Sequence, residues 1–488
     1  MEGIITVSNK LNVLDLAFLS LEKHTTPVNV ANLLIFDIPQ NYSGNYTRDL
    51  MEKLEAQPAG APFNLKLSST NTARIPSWIE DENFDMHYHV RHSALPKPGT
   101  EKDLLELVSR LHSHLLDRGR PLWEFHLIEG LENKRFAIYM KMHHASIDGM
   151  GGIELMESIL NLSPEHEVRA PWAGLPPKPK KQVGENPDLR MRTANFTKKV
   201  GDRAKLLKDL SSIFIGQSLK TIGIKDNLAP APFTAPKSMF NVPITGARRF
   251  AVKTISLSEI KSIGKQANAT VNDMVLAMCA GALRNYMREK DQLPKKPLYA
   301  SVPVSVRQVN RSGNQITYVA ANLATDEPDT MTRLRKIGAS TQQAKQEIEG
   351  LSPGAATGFA VLGQGLVAVM NQLNMTELMP PPANVTISNV PGPRAPLYFG
   401  DAKLVGTYPL SVLIDGQSLN ITVVSYCDNI GFGLMACRDT IPDVNLLADY
   451  IEEALESIKA GIFLRNIMAE EALEKQSEQD SAAANKQE

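Results

Sequence analysis

The sequence predicts a mixed α/β (α+β) fold divided into two domains, on three observations. The chain has 488 residues, too many for one ordinary core, and 43% of them are hydrophobic, enough to fill two. Short β-rich runs alternate with apolar segments of helical period on both sides of the middle. A proline- and lysine-rich stretch, 163–187, breaks that alternation and marks a boundary.

The first unit, 1–162, has strand-like runs at 30–38 and 136–142 and a helical pattern at 103–116. Residues 163–240 form a linker region. Within it, 190–225 reads as a basic amphipathic helix, with Phe196, Val200, Leu206, Leu207, Leu210, Ile213 and Phe214 apolar and Lys198, Lys199, Arg203, Lys205 and Lys208 basic. Such a helix either lies on an anionic lipid surface or packs its apolar side on the second domain. An Ala/Pro-rich stretch, 228–237, closes the region. The second unit, 241–468, resumes with a helix at 271–288 and strands at 298–306 and 419–426. The polar, low-complexity tail 469–488 is expected to be disordered.

Fifty-two basic residues nearly balance 53 acidic ones, so no global field attracts nucleic acid. Three cysteines without a CxxC, Cys279, Cys427 and Cys437, suit a reducing compartment better than a disulfide framework or a zinc site. The first residues carry Glu2 and Asp15 where an export signal would be basic. The longest apolar stretch, 358–370, is interrupted by Gln364 and falls short of the ~20 residues that span a bilayer. A cytoplasmic protein without membrane spans is the expectation.

The densest chemical signal is His143-His144-Ala145-Ser146-Ile147-Asp148-Gly149, at the end of a strand-like run and before a helix at 152–160. An alcohol attacking a thioester must lose its proton as the new C–O bond forms, and neutral imidazole accepts it near neutral pH. His144 can supply that base. Asp148 can hold a turn or orient the ring, and Gly149 relieves a sharp bend. The same residues also fit a pair of ordinary core or surface histidines beside an Asp-Gly turn. Metal ligation is a third reading, but adjacent strand residues face opposite ways and no third ligand stands at HExxH spacing.

Weaker signals compete. His87 and His89 share one face of an alternating run, 84–92, that also holds His92; it reads either as metal ligands or as a plain half-exposed strand. GxGxxA occurs at Gly363 and again at Gly431, in neither case opening a βαβ unit. There is no GxSxG elbow and no cysteine beside the histidines, which argues against an acyl-enzyme route.

Taken with its flanks, HHxxxDG at 143–149 resembles the signature of the bacterial wax ester synthase/acyl-CoA:diacylglycerol acyltransferase family. Pro121-Leu122-Trp123 with Glu129-Gly130-Leu131 resembles its PLW block, and Val271-Asn272-Asp273-Met274 its ND block. Further similarity lies in Asn241 with Arg248-Arg249, in 302–307, and in 388–393, so the likeness runs from about residue 12 to 463. It implies two chloramphenicol-acetyltransferase-like domains facing a central channel. It also implies transfer of a long acyl group from acyl-CoA to a fatty alcohol or diacylglycerol, with His144 as base and His143 in support. Asp148 is then structural, with Arg307 as its candidate partner. Asn272 stands near the developing oxyanion or, in the plainer reading, caps its helix. Ala145, Gly358 and Ala360 are candidates for an acyl tunnel, although small residues at 353–370 equally serve helix packing. No cofactor or metal is expected beyond the acyl-CoA substrate. Peripheral contact with a membrane or lipid droplet fits the basic segment. An HHxxxDG acyltransferase using another acceptor, as in peptide condensation or polyketide-linked acyl transfer, and a non-catalytic relative that binds acyl chains or lipid surfaces are the competing functions.

Overall fold

The computed structural model describes residues 11, 13–69, 76–147, 149–164, 167–174, 233–305, 316–349 and 380–484. In chain order, the first half runs α1 (Val13–Leu21), β1 (Asn29–Asp37), α2 (Tyr46–Glu55), β2 (Leu65–Leu67), β3 (Trp78–Glu80), α3 (Met86–His89), β4 (Val90–Ala94), α4 (Glu101–Ser113), β5 (Trp123–Leu131), β6 (Arg135–His143) and α5 (Gly149–Ile159). The second half runs β7 (Arg248–Ser256), α6 (Leu257–Gln266), α7 (Val271–Glu289), β8 (Tyr299–Ser305), β9 (Ile316–Asn322), α8 (Thr330–Glu349), β10 (Val385–Val390), β11 (Tyr398–Phe399), β12 (Ala402–Leu410), β13 (Leu419–Tyr426), β14 (Asn429–Cys437) and α9 (Val444–Ala484).

Local chemistry sets several of these boundaries. Thr100 and Asp103 form a reciprocal capping box at the start of α4, and Thr270 and Asp273 do the same for α7. β5 and β6 are buried along nearly their whole length, so both of their faces are covered.

Two six-stranded sheets result, ordered β11-β12-β1-β6-β5-β4 and β7-β14-β13-β10-β8-β9. The unit expected at 241–468 is therefore not self-contained: β11 and β12 leave it to pair in the first sheet, with β12 antiparallel to β1. There β12 lies against β14 of the second sheet, and Gly431 and Gly433 permit the approach. A Cβ on Gly433 would come within 2.2 Å of Pro409 O, and one on Gly431 within 2.6 Å of Thr407 O. The second GxGxxA is thus a packing device. At a further junction, α4 covers the edge strand β7: Ser113 Oγ accepts from Arg248 N–H and Ser109 Oγ from Phe250 N–H, both at 3.0 Å. Those donors would otherwise be exposed on a sheet edge.

Three local expectations need correction. Part of the supposed exposed linker is core: Trp172 is fully buried, its ring 5.8 Å from that of Trp123, because Gln57 holds the segment, its side chain donating to Val168 O and accepting from Ala170 N–H while its backbone carbonyl accepts from the Trp172 indole N–H. The tail does not end in disorder at 469; α9 continues to Ala484, rich in the Ala, Glu and Lys that favour helix. The run 84–92 is not one strand but α3 followed by β4, since Asp85 caps a short helix by accepting from His87 N–H. The segment 190–225 and the stretch 353–370 lie outside the described residues. Among those described, no helix is long and apolar enough to cross a membrane.

Candidate active site

Antiparallel pairing of β6 with β1 places His143 opposite Asn29 at the strand end. His143 N–H donates to Leu122 O at 3.0 Å, so the Pro-Leu-Trp block sits directly beside the histidines. The next N–H, of His144, donates to Val28 O at 3.0 Å, and Ser146 N–H turns back to His143 O at 2.9 Å. The chain therefore leaves the sheet in a tight turn that begins at the histidine pair.

The two rings stand in different surroundings. His143 is fully buried, and Ala145 N–H donates to its Nδ1 at 3.0 Å. A backbone N–H can only donate, so Nδ1 offers its lone pair and the ring proton sits on Nε2. Nε2 lies 3.4 Å from Glu22 Oε1. Burial acts to raise the Glu22 pKa, but His143, Arg118 and the Val28 N–H outweigh it and hold the carboxyl below its ordinary value. Arg118 Nε stands 3.1 Å from Glu22 Oε2, and its guanidinium also donates to Leu19 O at the end of α1. His144, by contrast, is half-buried, and its ring stacks on Phe18 of α1 with centroids 4.1 Å apart.

Beneath the pair, on the face of β6 that His143 shares, Lys141 is completely buried. Its ammonium lies 3.0 Å from Glu124 Oε2 and donates to Leu111 O and His114 O where α4 ends. Burial pushes Glu124 up, yet His126, Lys141 and Arg91 together bring it down to about 2. Nearby His112, bonded to Tyr139 Oη at 2.9 Å, is pushed down to about 3 by burial and by the charges of Lys141 and Arg248. These titratable groups form a polar layer inside an otherwise apolar half.

The structure brings His143, His144 and Ala145 together, with Ala145 buried among Leu11, Leu19, Leu116 and Leu122. Gly149 opens α5. Asn272 is half-buried at the second position of α7 and is not the cap, a task taken by Thr270 with Asp273. Asp148, Arg307, Gly358 and Ala360 lie outside the described residues. His87, His89 and His92 do not converge: His87 is exposed, His89 is buried with Nδ1 on Trp123 O at 2.8 Å, and His92 meets Glu129 at 3.1 Å. Among the described residues no group of three or more potential ligands could hold a metal ion. Sequence reasoning missed Glu22, Phe18 and Arg118. Nothing in a short apolar segment ending in an acid announces partners so distant in the chain.

The pattern around this turn recurs elsewhere. The catalytic-domain model of the wax ester synthase/diacylglycerol acyltransferase family matches residues 11–275, and the C-terminal domain of the same family matches 312–459. The chain belongs to this family. It is an acyltransferase of the wax ester synthase/diacylglycerol acyltransferase type, and the relatives agree in name. A probable diacylglycerol O-acyltransferase of Mycobacterium tuberculosis H37Rv is 41% identical over 459 residues, 92% of this chain and 98% of its own. The solved wax ester synthase/diacylglycerol acyltransferase of Marinobacter aquaeolei VT8 superposes with a TM-score of 0.72 at 35% identity, over 93% of this chain and 99% of that one. The first condensation domain of the CDA synthetase, at 14% identity and a TM-score of 0.53 over 93% and 96% of the two chains, shares the fold alone. The two-domain, chloramphenicol-acetyltransferase-like architecture of this acyltransferase family is therefore the architecture here.

Proposed function

We propose that the protein moves a long-chain acyl group from acyl-CoA to the hydroxyl of a fatty alcohol or diacylglycerol, with His144 as the general base. The observation that carries this reading is the asymmetry of the histidines. His143 has no exposed surface and both its nitrogens face protein groups, whereas His144 keeps partial exposure with its ring plane set by Phe18. His144 takes the proton of the acceptor hydroxyl as its oxygen attacks the thioester carbon. The same imidazole then returns the proton to the departing CoA sulfur, so the ring ends as it began. One base and two bound substrates suffice for this direct transfer, and no metal or further cofactor enters it. Asn272, released from capping duty, is the side-chain amide we assign to the developing oxyanion, and Asp148 with Arg307 is assigned to bracing the turn.

Purified protein incubated with palmitoyl-CoA and either hexadecanol or diacylglycerol, beside His144→Ala, tests this with thiol release and neutral-lipid product read together. Ester made by the wild type and lost in His144→Ala is the expected result, and the better acceptor separates wax from triacylglycerol emphasis. Thiol release with no ester from either acceptor would overturn the reading. Contact with a membrane or droplet surface, proposed through residues 190–225, is a separate matter, decided by liposome co-sedimentation after Lys198, Lys199 and Lys205 are changed to Glu.

A further inference from the structure

We infer that Glu22, held by Arg118, is a positioning residue for acyl transfer: it fixes which nitrogen of His143 carries the proton and, through the Ala145 turn, where His144 points. The inference rests on the reading that His144 moves the proton, but its structural half stands apart from it.

The chain of contacts is short. Ala145 N–H donates to His143 Nδ1 at 3.0 Å, and this bond closes the turn whose second residue is His144. It survives only while Nδ1 is unprotonated, because a proton there would set two N–H groups against each other. What keeps the proton on Nε2 is the carboxylate 3.4 Å beyond it. With the proton moved to Nδ1, the bare Nε2 lone pair would face a buried anion, an unfavourable pairing where little water screens it. Glu22 in turn depends on Arg118, whose Nε sits 3.1 Å from Oε2 while the same guanidinium holds Leu19 O. Phe18, just upstream in α1, is the ring stacked on His144. The end of α1 thus touches both imidazoles, one through charge and one through an aromatic face. Buried carboxylates that orient an imidazole in this way set its tautomer and geometry without contacting substrate.

The groups facing Glu22 are Arg118, His143 and the Val28 N–H, with Lys141 of β6 adding charge from the next position on that face. A glutamine at 22 can still accept from Arg118, but it then turns its amide N–H groups toward Nε2 and favours the wrong tautomer.

The test uses the full chain as wild type, Glu22→Gln, Glu22→Asp and Arg118→Lys. Ester-forming kcat, KM for palmitoyl-CoA and melting temperature are measured beside ¹⁵N spectra of histidine-labelled protein, with His143 assigned through His143→Gln. Glu22→Gln should lower kcat by about 10- to 100-fold, as loss of partners behind functional imidazoles does, with KM for palmitoyl-CoA unchanged. The His143 signals should leave the Nε2–H pattern, and Glu22→Asp should recover part of both. Wild-type kcat in Glu22→Gln, a loss that merely follows the folded fraction, or an unaltered His143 tautomer would each overturn the inference. If Glu22→Gln does not fold, Arg118→Lys carries the same expectations. If the wild type makes no ester, the acyl-transfer reading fails, while the ¹⁵N comparison still decides the role of Glu22 in setting the tautomer.

Discussion

Around β5 and β6 the first sheet buries Lys141, Glu124, His126, His112 and His143, whereas in the second half α7 packs against α9 and α8 and buries Met274, Leu276, Leu283 and Met287. Among the described residues, the charged side chains buried in the second half are Arg248 and Arg333, whose guanidinium groups burial pushes down, Arg248 to about 10. The two sheets have the same strand number and similar packing, so the difference is not architectural. Titratable groups are costly to bury unless each has a partner. The buried histidines, lysine and glutamate are gathered under the His143–His144 turn, the half to which we assign the proton transfer. The second half supplies a stiff apolar frame, with Asn272 on its central helix.

The sharpest way to break that comparison is to remove one charge from the polar layer. Lys141→Met leaves Glu124 buried beside His126 with its closest cation gone, and it removes the ammonium that donates to Leu111 O and, alongside Asn29 Nδ2, to His114 O. A buried pair broken on one side costs roughly 3–5 kcal/mol, which denaturant melts would show directly. The double change Lys141→Met with Glu124→Leu should recover much of that loss, because an apolar pair of similar volume no longer carries a stranded charge. Equal stability of wild type and Lys141→Met would mean that the layer contributes little.

A gentler probe is acid. His112 falls from an ordinary 6.5 to about 3 and Glu124 from 4.5 to about 2. Both folded values lie below the unfolded ones, so the stability they contribute is complete above about pH 6.5. It is lost as pH falls, first because unfolded chains take up a proton at His112 and then at Glu124. Hydrogen exchange between pH 7 and pH 4 should therefore expose amides of β5 and β6 before those of β13 and β14. His112→Asn should flatten the upper part of that pH dependence. Simultaneous loss of protection in both sheets would remove the distinction between them.

Much of this organisation was legible beforehand. The sequence predicts a strand at 419–426, and β13 has those bounds. The apolar period predicts a helix over 271–288, and α7 differs by one residue at its end. The HHxxxDG, PLW and ND blocks were visible because function confines residue types locally. What could not be read was long-range. Glu22 meets His143 and Phe18 meets His144 only after α1 folds back on the turn, and β12 joins β1 across most of the chain. Nor does a proline-rich run advertise that Trp172 will be buried in it. Local pattern records which face is apolar, not which distant element covers it.

The smallest effect separates stability from chemistry within one turn of helix. Thr270 accepts from Asp273 N–H at 3.2 Å and donates to its carboxylate, so the first turn of α7 is capped without Asn272. Thr270→Ala should cost about 1 kcal/mol, the usual worth of an N-cap, while leaving kcat near the wild-type value. Asn272→Ala should leave the melt unchanged and lower kcat, by about 100-fold or more if its amide serves the oxyanion as single donors do elsewhere. The pair of variants thus gives opposite signatures two residues apart. A melt shift in Asn272→Ala with intact turnover would return that residue to a purely structural role and leave the second half without a catalytic contribution from α7.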